Sequence, residues 1–469
     1  MYTYQDWLEV AGASENDRMA FIKKMIDEHC ASVAYQQATE AQEYFAGRNT
    51  TIMRLQKLIY DAAGQAVPDL VSANHKLATR FFFRDIVQEN QTLLGNGVKW
   101  TNKATETKLG DDFDDQLADA GEYALVDAVS YGFFNYDHVD VFRFTEFAPL
   151  LDEENGALRA GARFWQLAPE KPLRVVMYEE DGYTSYIWRS EGGDGEVLQE
   201  KRTYIEKTKE SPADGLTIYD GANYPAFPIV PFYGNKLKQS ELEPLREKID
   251  AFDLISSGYA NDTDDCNTIF WTVKNASAMD DQDLVEMLDK LRKLHAANFD
   301  GDAEPVAHTI EQPYEAREHQ LDRLEAQLYR DAMALDVEKI ANGAVNIPQI
   351  KAAFEPLNEK LDLYEKQVRK FIKGILKVAG IEDKPTFERS LITNQSEEID
   401  DLLKMAPYLT DDYITTKGMT MMGDKDQIEA VMNAKDKLDF DRFNAQKNQQ
   451  QPEPTDPKSQ GEEGQPAEE

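Results

Sequence analysis

The chain has 469 residues, with 87 acidic side chains against 51 basic ones and a formal net charge of −36. Such a surface excludes a conventional nucleic-acid binder, whose affinity rests on Lys and Arg neutralising phosphates, and the length allows about two to four domains with a sizeable core. The two cysteines, Cys30 and Cys266, make no disulfide framework and point to a reducing intracellular setting. The start, Met1-Tyr-Thr-Tyr-Gln-Asp-Trp7, has no basic region followed by an apolar one, so no signal peptide is expected. No run approaches the roughly 18 apolar residues of a membrane span.

The first 130 residues read mainly as helices, with amphipathic turns at Met19, Ile22, Ile26 and at Ile52, Leu55, Ile59. The stretch from Asn74 to Gly97 reads as a buried helix ended by a glycine, and Asp111-Asp-Phe-Asp-Asp115 precedes another apolar helix running to about Tyr131. From Phe133 to Tyr233, aromatic and β-branched residues alternate with polar ones and glycine-rich punctuation intervenes, as at Glu191-Gly-Gly-Asp-Gly195. That pattern predicts antiparallel sheet with hairpins, in roughly seven or eight short strands. Ser240-Glu-Leu-Glu243 has the spacing of a capping box and opens a helix carrying Leu245, Ile249, Phe252 and Tyr259. Two strands, 268–273 and 306–310, flank a short helix with Leu284, Met287, Leu288, Leu291 and Leu294, forming a small α/β module.

From Pro313 to Gly380 two long helical patterns flank a break. The first repeats Leu321, Leu324, Leu328, Ala332 and Leu335. The second repeats Ile350, Phe354, Leu357, Leu361, Tyr364, Val368, Phe371, Ile375 and Val378 at steps of four and three, one continuous apolar seam. Pro356, off the seam, predicts a kink or a late helix start. Residues 337–349, with Gly343 and Pro348, read as a mobile loop between rigid helices. A strand at 386–392 and short helices to about Leu438 follow. Residues 441–469, seven acids and three bases with almost no apolar group, are expected to stay disordered.

Catalytic signatures are missing: no phosphate loop, HExxH, GxSxG or CxxC occurs, and six histidines (His29, His75, His138, His295, His308, His319) lack ligand spacing. His29 beside Cys30 reads as structural, because neighbours on a helix point apart. The clusters Asp111, Asp112, Asp114, Asp115 and Asp262, Asp264, Asp265 lack the glycine and distal glutamate of a calcium loop. No catalytic residue, cofactor or metal is therefore assigned. Periodicity alone leaves open a coiled-coil structural, minor capsid or scaffold protein without a channel. The aspartate clusters keep open a metal-dependent nuclease or hydrolase.

The order of parts resembles the portal proteins of tailed bacteriophages, more narrowly those of long-tailed phages of Gram-positive hosts. Tyr44-Phe-Ala-Gly47 is similar to an early aromatic-x-Gly motif, and Ala73-Asn-His-Lys through Leu94-Gly-Asn-Gly97 to the helix that follows it. Tyr233-Gly-Asn-Lys through Ile249-Asp-Ala-Phe-Asp253, Ser257-Gly-Tyr-Ala-Asn-Asp262 resembles the family's first stem helix. The likeness spans roughly residues 35–400. It implies an α+β portal fold, mainly helical, with a β-rich wing, long stem helices, a small α/β clip and a C-terminal helical crown. The wing would comprise 1–235 and about 380–395, the stem 236–267 and 313–336, the clip 268–312, the tunnel loop 337–349 and the crown 396–440, with the long helix at 350–395 running into the wing strand.

The resemblance further implies a non-enzymatic, dodecameric ring at one capsid vertex of the virion, assembled in the host cytoplasm. Double-stranded DNA would pass through it. Its partners would be the terminase large subunit, which spends the ATP, the head-completion adaptor protein, and the major capsid and scaffolding proteins, with no membrane involved. An electronegative channel would avoid holding the duplex. Candidates for its wall are Glu243, Glu247, Asp250 and Asp253 on the first stem helix and Glu318, Asp322, Glu325 and Asp331 on the second. Lys339, Asn342, Gly343, Val345 and Asn346 are the tunnel-loop candidates facing DNA, and Lys290 and Arg292 the clip's partner surface.

Overall fold

The computed structural model describes residues 2–60, 65–69, 74–190, 193–210, 217–266, 270–274, 304–308, 314–341, 347–389, 402–422 and most of 427–437. The chain divides into two units, residues 1–390 and 391–469.

The first unit begins with α1 (Tyr4–Ala11), α2 (Glu15–Ala31), α3 (Val33–Phe45) and α4 (Thr50–Arg54). Each has an oxygen-bearing residue at its start: Thr3, Ser14, Ser32 and Asn49 accept from the free amides of the first turn. A small hairpin of β1 (Leu58–Tyr60) and β2 (Ala66–Pro68) follows, so Ile59 lies on a strand and not on the helix expected there. Then come α5 (Phe81–Leu94), β3 (Val98–Lys99), α6 (Lys103–Leu109) and α7 (Phe113–Asp127). The helix expected from Asn74 is shorter at both ends. Residues 74–80 are not helical, and position 97 needs glycine twice over, since its φ is 70° and an added Cβ would fall 2.3 Å from Asp114 Oδ2.

The β-rich stretch is antiparallel as expected, with ten strands among the described residues. They are β4 (Val129–Asn135), β5 (His138–Arg143), β6 (Phe147–Leu151), β7 (Leu158–Trp165), β8 (Leu173–Glu179), β9 (Gly182–Trp188), β10 (Glu196–Arg202), β11 (Ile205–Glu210), β12 (Thr217–Ala222) and β13 (Ile229–Tyr233). β6 to β10 form a five-stranded meander, β13-β4-β5 a three-stranded sheet, and β11-β12 a hairpin. Side-chain alternation covers both faces of the meander. Val175 and Met177 join Trp7, Phe21 and Ile22 of α1 and α2, while Tyr178 joins Phe133, Phe142 and Phe147 in the layer shared with the three-stranded sheet.

After α8 (Arg246–Cys266) two strands, β14 (Phe270–Lys274) and β15 (Glu304–His308), pair antiparallel. The helix expected between them lies outside the described residues. Next come α9 (Tyr314–Asp331), α10 (Val337–Ala341) and α11 (Ile347–Ala379). Met333, with φ of 54°, ends the helical path, so Ala332 and Leu335 are buried just beyond α9 and not on it. The seam on α11 is realised: Phe354, Leu357, Leu361, Tyr364, Val368, Phe371, Ile375 and Val378 are all buried, each contributing roughly 1.5–3 kcal/mol for a side chain fully removed from water. α11 runs through Pro356 without a break. Pro356 sits on the exposed side, where water can serve the carbonyl left without a donor. The 337–349 loop is narrower than expected, since 337–341 are helical and Ile347–Gln349 already belong to α11. The C-terminal strand is the short β16 (Thr386–Phe387), paired with β3.

The main core lies between α5, α7, α11 and the three-stranded sheet. Gly121 of α7 permits the closest approach: a Cβ there would fall 2.1 Å from Tyr364 Oη and 2.6 Å from Asn90 Oδ1, which hydrogen-bond each other at 2.9 Å. Gly121→Val is therefore expected to lower stability by about 1–3 kcal/mol through overpacking, read as a fall in Tm. An unchanged Tm would show that α7 and α11 can part freely.

The second unit contains α12 (Asp411–Met422), with Lys435 Nζ 3.4 Å from Asp411.

Candidate functional site

α8 and α9 form an antiparallel pair fixed near both ends. Lys248 Nζ lies 2.8 Å from Asp331, and Arg317 lies 2.5 Å from Asp262. On each helix the paired residues are about 21 Å apart along the axis. Tyr259 and Tyr314 meet edge to face, and Leu324 and Leu328 are buried. α8 carries six acids against two bases, and α9 five against three.

The expected start of α8 is corrected. Ser240 Oγ accepts from Leu242 N–H and not from residue 243, and turns anchored by buried Leu242 and Leu245 occupy 240–245 before the helix begins at Arg246. Glu241 instead accepts from Asn235 Nδ2 at 2.8 Å.

One side of α8 is a row of acceptors. Asp250 accepts from Tyr44 Oη at 2.5 Å and from Thr51 Oγ1 at 2.9 Å. Asp253, fully buried, accepts from Asn49 Nδ2 and from the Thr79 amide, each at 2.8 Å. Ser257 Oγ accepts from the Leu77 amide at 2.9 Å, and Asn261 Oδ1 from the His75 amide at 2.6 Å. Residues 253, 257 and 261 share one helix face, and the amides of 75, 77 and 79 point to one side because extended backbone alternates with period two. The spacing of polar residues along α8 is thus a docking code for an extended segment. Asn49 ties the code to the N-terminal helices, since its Oδ1 also caps α4 at the Thr51 amide. Burial pushes the Asp253 carboxyl up to about 6, against the bonds from Asn49 and Thr79 that favour its charge.

The wall candidates separate accordingly. Glu243, Glu247, Glu318, Asp322 and Glu325 are exposed, and the last three recur at steps of four and three along one face of α9. Asp250 and Asp253 are corrected: they turn inward to donors about two hundred residues away in sequence. Asp331 is engaged by Lys248. Lys339 lies on α10, while Asn342, Gly343, Val345, Asn346, Lys290 and Arg292 lie outside the described residues.

Sequence reasoning missed a second polar cluster. Lys360 of α11 reaches Asp85 Oδ1 at 3.1 Å and Glu89 Oε2 at 2.9 Å, all three buried. Burial pushes the Glu89 carboxyl up to about 8, and the Asp85 carboxyl is raised for the same reason. Burial alone would lower the Lys360 ammonium, but Glu89 and Asp85 outweigh it and raise it. Two carboxyls around one ammonium are most cheaply buried with one proton retained. The available signal was a lysine in the apolar sector of α11, matched by carboxylates four apart on apolar α5.

Of the histidine and acidic candidates, His29 is buried with Nε2 2.9 Å from Phe144 O, and burial lowers its pKa. Burial pushes the Cys30 thiol up, away from nucleophilic use. Asp114 accepts from the Val98 amide at 3.0 Å. Among the described residues, no group of three His, Cys, Asp or Glu side chains could hold a metal ion.

Solved structures with a similar path include a chain in the neck of an empty gene transfer agent particle, with a TM-score of 0.42, 10% identity and coverage of 77% of this chain and 96% of that one. A chain of the native gene transfer agent virion gives a TM-score of 0.43 at 10% identity, covering 74% and 90%. The portal protein of Bacillus phage SPP1 is 24% identical over 415 residues, 82% of this chain and 79% of that protein. The portal protein of Clostridium phage phiCD119 is 24% identical over 245 residues, 47% of this chain and 54% of that protein. The family described as "Phage portal protein, SPP1 Gp6-like" matches residues 183–452. That match takes in the α8–α9 pair and the seam helix, and it covers more than half of the chain, which therefore belongs to the SPP1 Gp6-like family of phage portal proteins.

Proposed function

We propose that copies of this portal protein close into a ring, a dodecamer by the resemblance above, and that double-stranded DNA passes through its centre during packaging and ejection. The observation that carries this reading is the α8–α9 pair: two antiparallel helices held near each end, leading to the β14–β15 ribbon, with Glu318, Asp322 and Glu325 in an exposed row. A wall of exposed carboxylates repels phosphates and lets a duplex slide without a strong contact. In this reading α8 and α9 are the stem (236–267 and 313–336), the β14–β15 ribbon belongs to the clip (268–312), and 337–349 is the tunnel segment with Lys339 near the DNA. Residues 1–235 and 380–395 form the wing, and 396–440 the crown. The clip, through Lys290 and Arg292, docks the terminase large subunit and then the head-completion adaptor. Major capsid and scaffolding proteins surround the ring at the capsid vertex of a virion assembled in the host cytoplasm. The ring performs no hydrolysis.

The test is the oligomeric state. Native mass spectrometry and negative-stain imaging of the purified chain are expected to show closed rings with a central hole. Monomers or dimers alone over a broad concentration range would overturn the reading.

A further inference from the structure

The C-terminal half of α11 reverses the sign of the chain. Lys366, Lys370, Lys373 and Lys377 recur at steps of four, three and four, and all are exposed. They form one row, opposite the buried side carrying Tyr364, Val368, Phe371 and Ile375. Among the described residues the ion pairs of α11 involve Lys360, Asp362, Glu365 and Arg369, and none of the four lysines. Lys370 Nζ reaches only the neutral Gln367 Oε1, at 3.2 Å. Four cations in a row with no ion-pair partner among the described residues are an exception on a chain of net charge −36.

The same chain carries a matching row. Asp112, Asp115, Asp119 and Glu122 run along α7 and the residue before it at steps of three, four and three. The three aspartates are exposed and Glu122 half-buried, with Arg143 at 3.9 Å from Glu122 as its ion-pair neighbour. This row also points away from the core, because the opposite side of α7 presents Gly121 to Tyr364. Each row is about 15–17 Å long at 1.5 Å per residue. Both helices bury their inner sides in one core, so each row faces away from that core.

We propose that the lysine row of α11 docks on the acidic row of α7 of a second copy, so that these two faces are the two sides of the contact between neighbouring subunits. The inference rests on the ring reading and adds which faces meet. Two different faces in contact make a heterologous interface, the kind that closes into a ring. Exposed ion pairs each change affinity only a few-fold. Their part is to fix register and to reject the wrong face, since lysine against lysine or acid against acid repels. A phosphate backbone is the other partner the lysines could take. The similar length and opposite charge of the acidic row favour the second copy.

The experiment is a charge swap read by sedimentation at several subunit concentrations. Lys370→Glu with Lys373→Glu, and separately Asp115→Lys with Asp119→Lys, are each expected to raise the concentration needed for rings by about tenfold or more. Combining all four should bring it back to within about threefold of the native chain. Circular dichroism checks folding. Should a reversed variant melt early, Lys370→Gln with Lys373→Gln carries the same test with a smaller shift that weakens further in salt. Rings unaffected by either reversal, or two defects that add with no rescue, would overturn the inference while leaving the ring reading intact. Rings retained with binding of a duplex oligonucleotide lost would assign the lysines to phosphate and equally overturn it. A native chain that forms no rings removes both readings.

Discussion

Replacing Lys360 by methionine is expected to destabilise the first unit by about 3–5 kcal/mol at pH 8, because it strands two buried carboxyls without their cation. Asp85 and Glu89 sit 3.1 and 2.9 Å from the ammonium they would lose. The loss should shrink on acidification. Both carboxyls have folded pKa values raised above their ordinary ones, Glu89 to about 8. A raised carboxyl contributes stability that is fully present below its unfolded pKa and is lost as pH rises through the folded one. The variant should therefore recover much of its deficit near pH 5, where Glu89, pushed up to about 8, is protonated, with Asp85 raised in the same direction. Thermal unfolding at pH 8 and pH 5 measures this. A deficit equal at both values would mean that the lysine acts by packing alone. A second variant, Lys360→Met with Asp85→Leu and Glu89→Met, should regain stability, as buried ion clusters replaced by apolar side chains of similar size commonly do.

Asp253→Ala is expected to cost about 3 kcal/mol, since it leaves the Thr79 amide and Asn49 Nδ2 without an acceptor. Ser257→Ala should cost only about 1 kcal/mol, for one neutral bond at Leu77. Hydrogen exchange separates this from a general weakening. Protection of the amides of Leu77 and Thr79 should collapse in Asp253→Ala, while that of β8 in the meander should not. If all regions lost protection together, Asp253 would support the whole unit and not the seat of α8. Asp253→Asn is the finer probe, because an amide can still accept from Thr79 but then presents its own donors to Asn49.

The parts of the fold that were legible are those governed by periodicity. A step of four and three over 350–378 can be satisfied only by a helix with one buried side, and Phe371 and Leu361 lie where that spacing puts them. Alternation did the same for β8 and β9. What was not legible depends on partners far away in sequence. Asp250 looked like any acid on a helix surface, because nothing in its vicinity reveals that Tyr44 and Thr51 will cover it. Ser240 matched a capping box, but the burial of Leu242 and Leu245 bends the chain into turns first. The resemblance singled out Asp250, Asp253, Ser257 and Asn261 by spacing, and the geometry supplies the reason: each holds a donor of the N-terminal helices or of the 75–79 segment. The α7 and α11 charge rows were readable as sequence, but only the fold shows that they face away from a common core.

The three amides seated on α8 impose an arithmetic on the chain. Two extended residues advance about 6.6 Å and four helical residues about 6 Å, so the teeth of the two elements nearly coincide for three contacts and then drift apart. Losing one residue between two of these amides would not weaken one contact: it would turn the amides on either side of the loss to opposite faces, so that they could no longer seat together on Asp253, Ser257 and Asn261. Losing two would merely slip the segment by one tooth. Length changes tolerated in this segment should therefore come in even numbers.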